Sequence, residues 1–179
     1  MKKIIFTLVI ALFLNFNAAA QQTSALKIAV FDAQSVITNS IAAKNANDVL
    51  QKRKDQFQQE ITKKEKELDL EKRKIKGKKE ILSEERYQEE VAKFGIKFEN
   101  FKNYVEERQI ILKNASSEVL VEIEEVLRDI INDIAKEQNI DLILPSEGVI
   151  FSKDEFDVSP LALTRLNKNL KKITIKSLE

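Results

Sequence analysis

The stretch from Tyr87 to Val119 constrains this chain more than any other. Taking every third or fourth residue gives Tyr87, Val91, Phe94, Phe98, Phe101, Val105, Arg108, Leu112, Ala115 and Val119. The 3-4 alternation holds for about four and a half heptads, with one polar breach at Arg108, and marks a long helix with a narrow apolar seam. The residues around the seam are mostly Lys, Glu, Gln, Asn and Arg. Such a helix needs a partner helix, and the rest of the chain is expected to fold back on it or anchor its base.

Composition supports long helices. Of 179 residues, 33% are charged, and only three glycines and two prolines punctuate the sequence. That fits one compact domain or one domain with an extension. With no Cys and no His, there are no disulfides, no thiolate or imidazole metal ligands, no Cys nucleophile and no His general base. Ser24 to Lys27 matches Ser-x-x-Lys but lacks the companion motifs of penicillin-binding proteins. Asp154, Glu155 and Asp157 lack calcium-loop spacing and read as a solvated loop. Asn114-x-Ser116 lies mid-helix and suggests nothing. No catalytic, cofactor-binding or metal residue is assigned, and the chain is not expected to be an enzyme.

Residues 1–20 read as a removable export signal. Lys2 and Lys3 give the basic start, Ile4 to Leu14 an apolar run too short to span a bilayer comfortably, and Ala18-Ala19-Ala20 the small-residue site. Cleavage is expected before Gln21, the alternative being an uncleaved anchor. Without Cys no lipid attachment is available, and no later stretch is apolar enough to cross a membrane. Removal of the signal leaves 28 basic against 29 acidic residues, a formal charge of −1. The expected location is the periplasm.

Lys27 to Asp32 (Lys-Ile-Ala-Val-Phe-Asp) is a plausible strand, Ser35 to Asn39 is either a helical turn or a connection, and a helical pattern starts at Ile41. From Leu50 the apolar positions thin to one per heptad: Phe57, then Ile61, Leu68, Ile75 and Leu82. One buried apolar side chain contributes about 1.5–3 kcal/mol, against about 1–2 kcal/mol for ordering each backbone residue. This first arm therefore needs the richer later seam. Gly77 weakens the helix, and Ser83 followed by Glu84 and Glu85 is a good N-cap with acid at the positive pole. A turn between Gly77 and Ser83 is expected, one uninterrupted helix being the alternative. The arms 41–76 and 83–119 then pair antiparallel.

Past Val119 the spacing changes and the apolar face widens through Ile123, Val126, Leu127, Ile130, Ile131 and Ile134, as a helix entering a thicker body would require. Ile140, Leu142 and Leu144 switch to period two. Pro145 to Gly148 reads as a turn, Val149 to Phe151 as a second strand, and Phe156 to Val158 as a short third or an edge. Ser159-Pro160 starts a last helix with Ser159 as N-cap, and Leu163, Leu166, Leu170 and Ile173 line one face. Three short strands and one helix make a small core, which oligomerisation through the strands would complete. The strand residues assigned to self-association are Ile28, Val30, Ile140, Leu142, Leu144, Val149 and Phe151.

The predicted fold class is α+β, a long antiparallel helical hairpin (a coiled-coil tentacle) projecting from a small β-strand body that oligomerises, with a C-terminal helix. Its divisions are the signal (1–20), the body (21–40 and 120–179) and the hairpin (41–119). Near the hairpin tip, Lys72, Arg73, Lys74, Lys76, Lys78 and Lys79 crowd together. They read either as a basic tip that meets acidic unfolded chains or an anionic membrane surface, or as a solvated helix face. Nucleic acid is a poor partner, because no stacking aromatics sit among the lysines. Phe94, Phe98 and Phe101 are placed in the seam ahead of direct contact with a bound chain. Ile96, Ile110 and Ile111 fall off it, and either make weak apolar contacts with such a chain or thicken the core.

This order of parts resembles the Skp (OmpH) family of periplasmic outer-membrane-protein chaperones over about Lys27 to Ile173. The resemblance rests on Lys-Ile-Ala-Val-Phe-Asp at 27–32, Leu-Ser-Glu-Glu-Arg at 82–86, Asn-Ile-Asp-Leu-Ile-Leu at 139–144, Gly-Val-Ile-Phe at 148–151 and the helix after Asp157-Val158-Ser159. It implies a homotrimer whose strands form a β-barrel body, with three hairpins around a cavity. In that cavity unfolded outer-membrane proteins would be held without ATP or any cofactor. The near-neutral mature chain departs from the strongly basic members of that family. The reading from another class is a structural coiled-coil spacer of the cell envelope.

Overall fold

The structure, a computed structural model, describes residues 25–179. The export signal with its cleavage before Gln21, and Ser24 of the Ser-x-x-Lys match, lie outside the described residues. The elements in order are β1 (Ile28–Phe31), α1 (Ala33–Asn39), α2 (Ile41–Gly77), α3 (Glu84–Gln138), β2 (Leu142–Pro145) and α4 (Ser159–Asn169), with 3-10 turns at Ser146–Gly148, Asp154–Phe156 and Lys176–Leu178.

The two long helices form as their sequence signals require. The ambiguous segment Ser35 to Asn39 is helical in α1, where Asp32 Oδ1 accepts the Ser35 amide at 2.7 Å. Ser40 ends α1 and opens α2. Its extended backbone breaks the helix, its Oγ accepts the Ala43 amide at 3.1 Å, and its hydroxyl donates to the Ile37 carbonyl at 2.8 Å. This hydroxyl is fully buried, so both bonds are needed to satisfy it. α2 runs 37 residues, about 55 Å, and α3 runs 55, about 80 Å. Between them the chain turns at Lys78–Ser83, where sequence placed the turn. Lys74 and Lys76 lie in the last turn of α2, and Glu84 and Glu85 in the first turn of α3, so each helix end carries the charge its dipole favours. α3 stops at Asn139, whose φ of 51° is left-handed. The Ile140 amide reaches the Ala135 carbonyl at 2.8 Å and the Asn139 amide reaches that of Lys136 at 3.2 Å, a Schellman ending with Asn at the position that must adopt αL.

The core lies where the hairpin root meets the other elements. Ile123, Leu127, Ile130 and Ile134 of α3 are buried with Val36, Ala29, Val158, Ala162 and Leu166. The cluster continues into the root through Ala42, Ala43 and Ala46 of α2 and Ala115 and Val119 of α3. Farther out, α2 buries only Phe57 and Ile75, and α3 buries nothing before Ala115. The arm is therefore dense at its base and sparse along its length.

β1 and β2 pair in parallel, Ile28 opposite Leu142 and Phe31 opposite Pro145. The expected strand at Val149–Phe151 does not form. A 3-10 turn precedes it, Ile150 is fully exposed and Phe151 is 83% exposed. Within one chain both sides of β1 are occupied, by β2 on one and by a single bridge from Val30 to Asp157 on the other. A strand at 149–151 could then join only the outer edge of β2, and after the 3-10 turn at Ser146–Gly148 the chain does not pair there. The expected third strand is reduced to that bridge, with the Val158 amide on the Val30 carbonyl at 3.0 Å. Ile140 also lies outside β2, half-buried beside the core, because the Schellman ending consumes its amide.

Two further expectations are corrected. Ser159 is the first residue of α4 rather than its N-cap. Its amide is taken by Asp157 Oδ1 at 2.8 Å, and its hydroxyl oxygen accepts the Asp32 amide at 2.8 Å, tying the end of β1 to the start of α4. The last helix ends at Asn169, so Leu170 and Ile173 do not extend its face. Residues 170–179 leave α4 and run along the hairpin root, with Ile173 and Ile175 buried. Arg165 of α4 grips Glu137 of α3 with both guanidinium arms, one at 2.9 Å.

Candidate functional site

The surface available for function is the arm, its tip and the edge of the small sheet. Among the described residues no cluster of acidic residues is arranged to hold a metal, and no helix is long and apolar enough to cross a membrane.

At the inner end of the arm, Phe57 of α2 is buried against cations. The Arg108 guanidinium lies 5.2 Å from its ring centroid and that of Arg53 5.7 Å. Arg108 also sits 4.2 Å from the Tyr104 ring, which in turn carries Lys64 at 4.7 Å. The Tyr104 hydroxyl donates to the Glu60 carboxylate across the two helices. Arg108, the breach in the seam, thus enters the interface as a flat cation against aromatic faces, the packing a guanidinium suits. Its Nε is buried without a hydrogen-bond partner.

Midway along, the seam is looser than its spacing implies. Phe94 and Phe101 are only half-buried, Phe98 is 45% exposed and Val91 40%. Phe94 and Phe98 stack with centroids 6.3 Å apart. Together with Leu68 and Phe101 they floor a groove of about 470 Å³, rimmed by Glu65, Asp69 and Lys72. The expectation that all three phenylalanines sit inside the seam therefore fails for Phe98. The cause is on the facing arm, where charged residues alternate with Ile61 and Leu68 and supply too little apolar surface to cover three rings. Across the arm a second groove of about 370 Å³ lies between Leu68, Phe101 and Tyr104, crossed by the ion pair of Lys97 with Glu71.

Ile96 and Ile110 of α3 are 64% and 49% exposed, while Ile111 is half-buried. Fourteen positions separate the first two, nearly four helical turns, so they face within about 40° of each other, roughly 21 Å apart along the axis. Ile111, next in sequence, is less exposed than either.

At the tip all six basic residues are exposed. Arg73 pairs with Asp69 at 2.6 Å and Lys78 with Glu90 at 3.5 Å. Among the described residues, Lys72, Lys74, Lys76 and Lys79 have no carboxylate within ion-pair distance. Ile81 stands in the turn beside them, almost fully exposed. Sequence reasoning did not single out Ile81, although an apolar residue in a charged turn was a readable signal.

At the opposite end, Ile28 and Val30 lie in β1 and Leu142 and Leu144 in β2, so the structure brings these four together in one ladder. Val149 and Phe151 lie outside it. The outer edge of β2 is open and Leu142 in it is exposed, as are Ile150, Phe151 and Phe156 in the connection from β2 to α4.

Comparison with known proteins places this architecture. No curated protein matches the chain. Among solved structures, an OmpH-like outer membrane chaperone candidate from Caulobacter crescentus CB15 superposes with a TM-score of 0.77 at 18% identity, covering 83% of this chain and 88% of its own. At that identity the likeness concerns the fold, which is the long-armed hairpin on a small α/β base. The family model for outer membrane protein (OmpH-like) matches residues 27–166, a span that takes in β1, both long helices, β2 and most of α4. The chain belongs to the OmpH-like outer membrane protein family.

Proposed function

We propose that this protein is an ATP-independent periplasmic holdase that keeps unfolded outer-membrane proteins from aggregating on their way to the outer membrane. The observation that carries the reading is the pairing of a long, thinly packed arm with a small base whose sheet edge is open and apolar. An open edge invites strand addition from another copy, and Ile150 and Phe151, a few residues beyond β2, are exposed apolar side chains. Closure of three such bases into a homotrimer, with the signal at 1–20 removed, the body at 21–40 and 120–179 and the arm at 41–119, would hang three arms around one cavity. Membership in the OmpH-like family and the shape shared with the Caulobacter crescentus chaperone candidate support it.

The mechanism is confinement. An unfolded chain in the cavity meets many weak contacts, apolar at Ile96, Ile110 and Ile111 and cationic at Lys72, Arg73, Lys74, Lys76, Lys78 and Lys79. None is strong enough to trap it, and neighbouring clients are kept from pairing strands. The tip cations also suit transient contact with an anionic membrane surface. The reading is tested by adding the protein to a β-barrel client diluted from denaturant and following turbidity. A holdase suppresses aggregation at about stoichiometric trimer without nucleotide. Unchanged aggregation would leave the envelope-spacer reading.

A further inference from the structure

Residues 170–179 extend past the region that the family model matches, which ends at 166. They are not a loose end. Leu170 leaves α4 in an extended conformation, and the segment then runs outward in contact with both α2 and α3. At its start the Asn45 side-chain amide donates to the Lys171 carbonyl at 2.7 Å, beside the Ile41 amide held by Asn167 Oδ1 at 2.7 Å. Ile173 and Ile175 are buried in the root cluster with Ala46, Ala115 and Val119. The segment ends in the 3-10 turn Lys176–Leu178, whose first amides have no partner within the turn. Glu118 of α3 takes them, the Lys176 amide at 2.9 Å and the Ser177 amide at 3.0 Å, and also accepts the Ser177 hydroxyl at 2.8 Å. Arg53 of α2 donates to the Leu178 carbonyl at 2.7 Å. One short segment is thus fixed to both arm helices, eight positions along α2 and at one carboxylate on α3.

Its outer end has a second meaning. Arg53, which holds Leu178, is one of the two cations on the Phe57 ring. Phe57 is the last side chain α2 buries before Ile75, and Ala115 is the outermost limit of full burial on α3. The segment therefore covers the root over the length where the hairpin is densely packed, and stops where the thin arm begins.

We propose that residues 170–179 act as a strap, latched by Glu118, that stiffens the hairpin root and sets where the arm pivots. Latched, the root moves with the base and the arm bends outward of Phe57. Released, the α2–α3 groove loses Ile173 and Ile175, and the pivot retreats to the level of Ala46. The inference concerns the mechanics of the arm and stands whether or not the arms carry clients, so it can fail without the holdase reading failing.

Backbone hydrogen exchange, read residue by residue without client, tests it on the full chain, on Glu118→Ala, and on a chain cut after Asn169. In the parent the fall from protected to unprotected amides on α2 is expected near Phe57. In both variants it moves toward Ala46, with exchange through 47–57 and 108–118 faster by about tenfold or more, while β1 and β2 amides keep their protection. Unchanged exchange in Glu118→Ala overturns the latch, whatever the cut chain does. Loss spreading equally into β1 and β2 overturns the strap, because the segment would then be a part of the core like any other. Should the cut chain not fold, Glu118→Ala, which leaves every buried apolar side chain in place, decides the matter alone.

Discussion

Ser40 and Ser83 cap the two long helices with the same chemistry in opposite surroundings. Ser40 is fully buried and its hydroxyl both accepts from Ala43 and donates to Ile37, whereas Ser83 is exposed and its contact with the Arg86 amide is long, 3.5 Å. Ser40→Ala therefore removes a cap and leaves the buried Ala43 amide without its partner, while the Ile37 carbonyl keeps the Ser40 backbone amide, and should cost about 2 kcal/mol. Ser83→Ala should cost about 0.5 kcal/mol, at the low end for caps. Denaturant unfolding of the two variants checks the difference. A similar contrast separates Phe57 and Arg108. Phe57→Ala empties a buried aromatic site and should cost about 3 kcal/mol. Arg108→Met forfeits cation–π contacts of about 0.5–2 kcal/mol but frees the structure of the unpartnered Nε, which costs about 1–3 kcal/mol. The two nearly cancel, so Arg108→Met should lie within about 1 kcal/mol of the parent in the same measurement.

Among the elements, the strap depends on the charge of Glu118. The Ser177 amide, the Lys176 amide and the Ser177 hydroxyl, in that order, hold its carboxyl below the usual glutamate range. The bonds from Arg165 do the same for Glu137. A depressed folded value means that the stabilisation is complete above the unfolded value of about 4.3 and is lost as pH falls through the lower folded value. Amide shifts of Lys176 and Ser177 should therefore titrate with a midpoint below about 4.3, the strap leaving the root at acid pH while the helices persist. A midpoint above that value would contradict the latch geometry. These elements were unevenly legible in sequence. The long helices, the turn after Gly77, β1 and β2 followed from local signals: heptad spacing, a capping serine, period-two alternation. The strap carried such a signal too, since Ile173 and Ile175 alternate with Lys172, Thr174 and Lys176, but Leu170 and Ile173 also fit the face of the preceding helix. Glu118 meeting Ser177 could not be read, because nothing local joins residues 59 positions apart. Val149–Phe151 has strand-like composition. Whether it becomes a strand depends on where the 3-10 turn at Ser146–Gly148 sends the chain, and in the single chain it pairs with neither strand. The exposure of Phe98 is not legible in its own helix, because its cover depends on the poorer one facing it.

The whole molecule exposes apolar side chains both in the base, at Leu142, Ile150 and Phe151, and along the arm. In a single chain Ile150 and Phe151 touch little, so the double substitution Ile150→Asp with Phe151→Asp should change the stability of the isolated chain by no more than about 0.5 kcal/mol. In the proposed trimer the same change places charge in an interface. Light scattering at micromolar concentration should report three subunits for the parent and a shift toward one for the variant, with helical circular dichroism unchanged. A parent that is monomeric there would remove the cavity, and with it confinement.

The parallel pairing of β1 and β2 also fixes an order of events. The Lys27 amide bonds to the Asp141 carboxylate 114 positions later, so the ladder cannot begin until the chain has been delivered past residue 141. Closing so long a loop in a coil is slow, but the hairpin of α2 and α3 forms from nearer contacts and brings the two ends together first. Val30→Ala should then leave the folding rate nearly unchanged and accelerate unfolding, as stopped-flow fluorescence with a reporter placed in the base would show. During its own emergence the protein carries Ile-Ala-Val-Phe as an unpaired strand for longer than any other part, and so for a time it has the same exposed-strand hazard as the β-barrel chains it is proposed to protect.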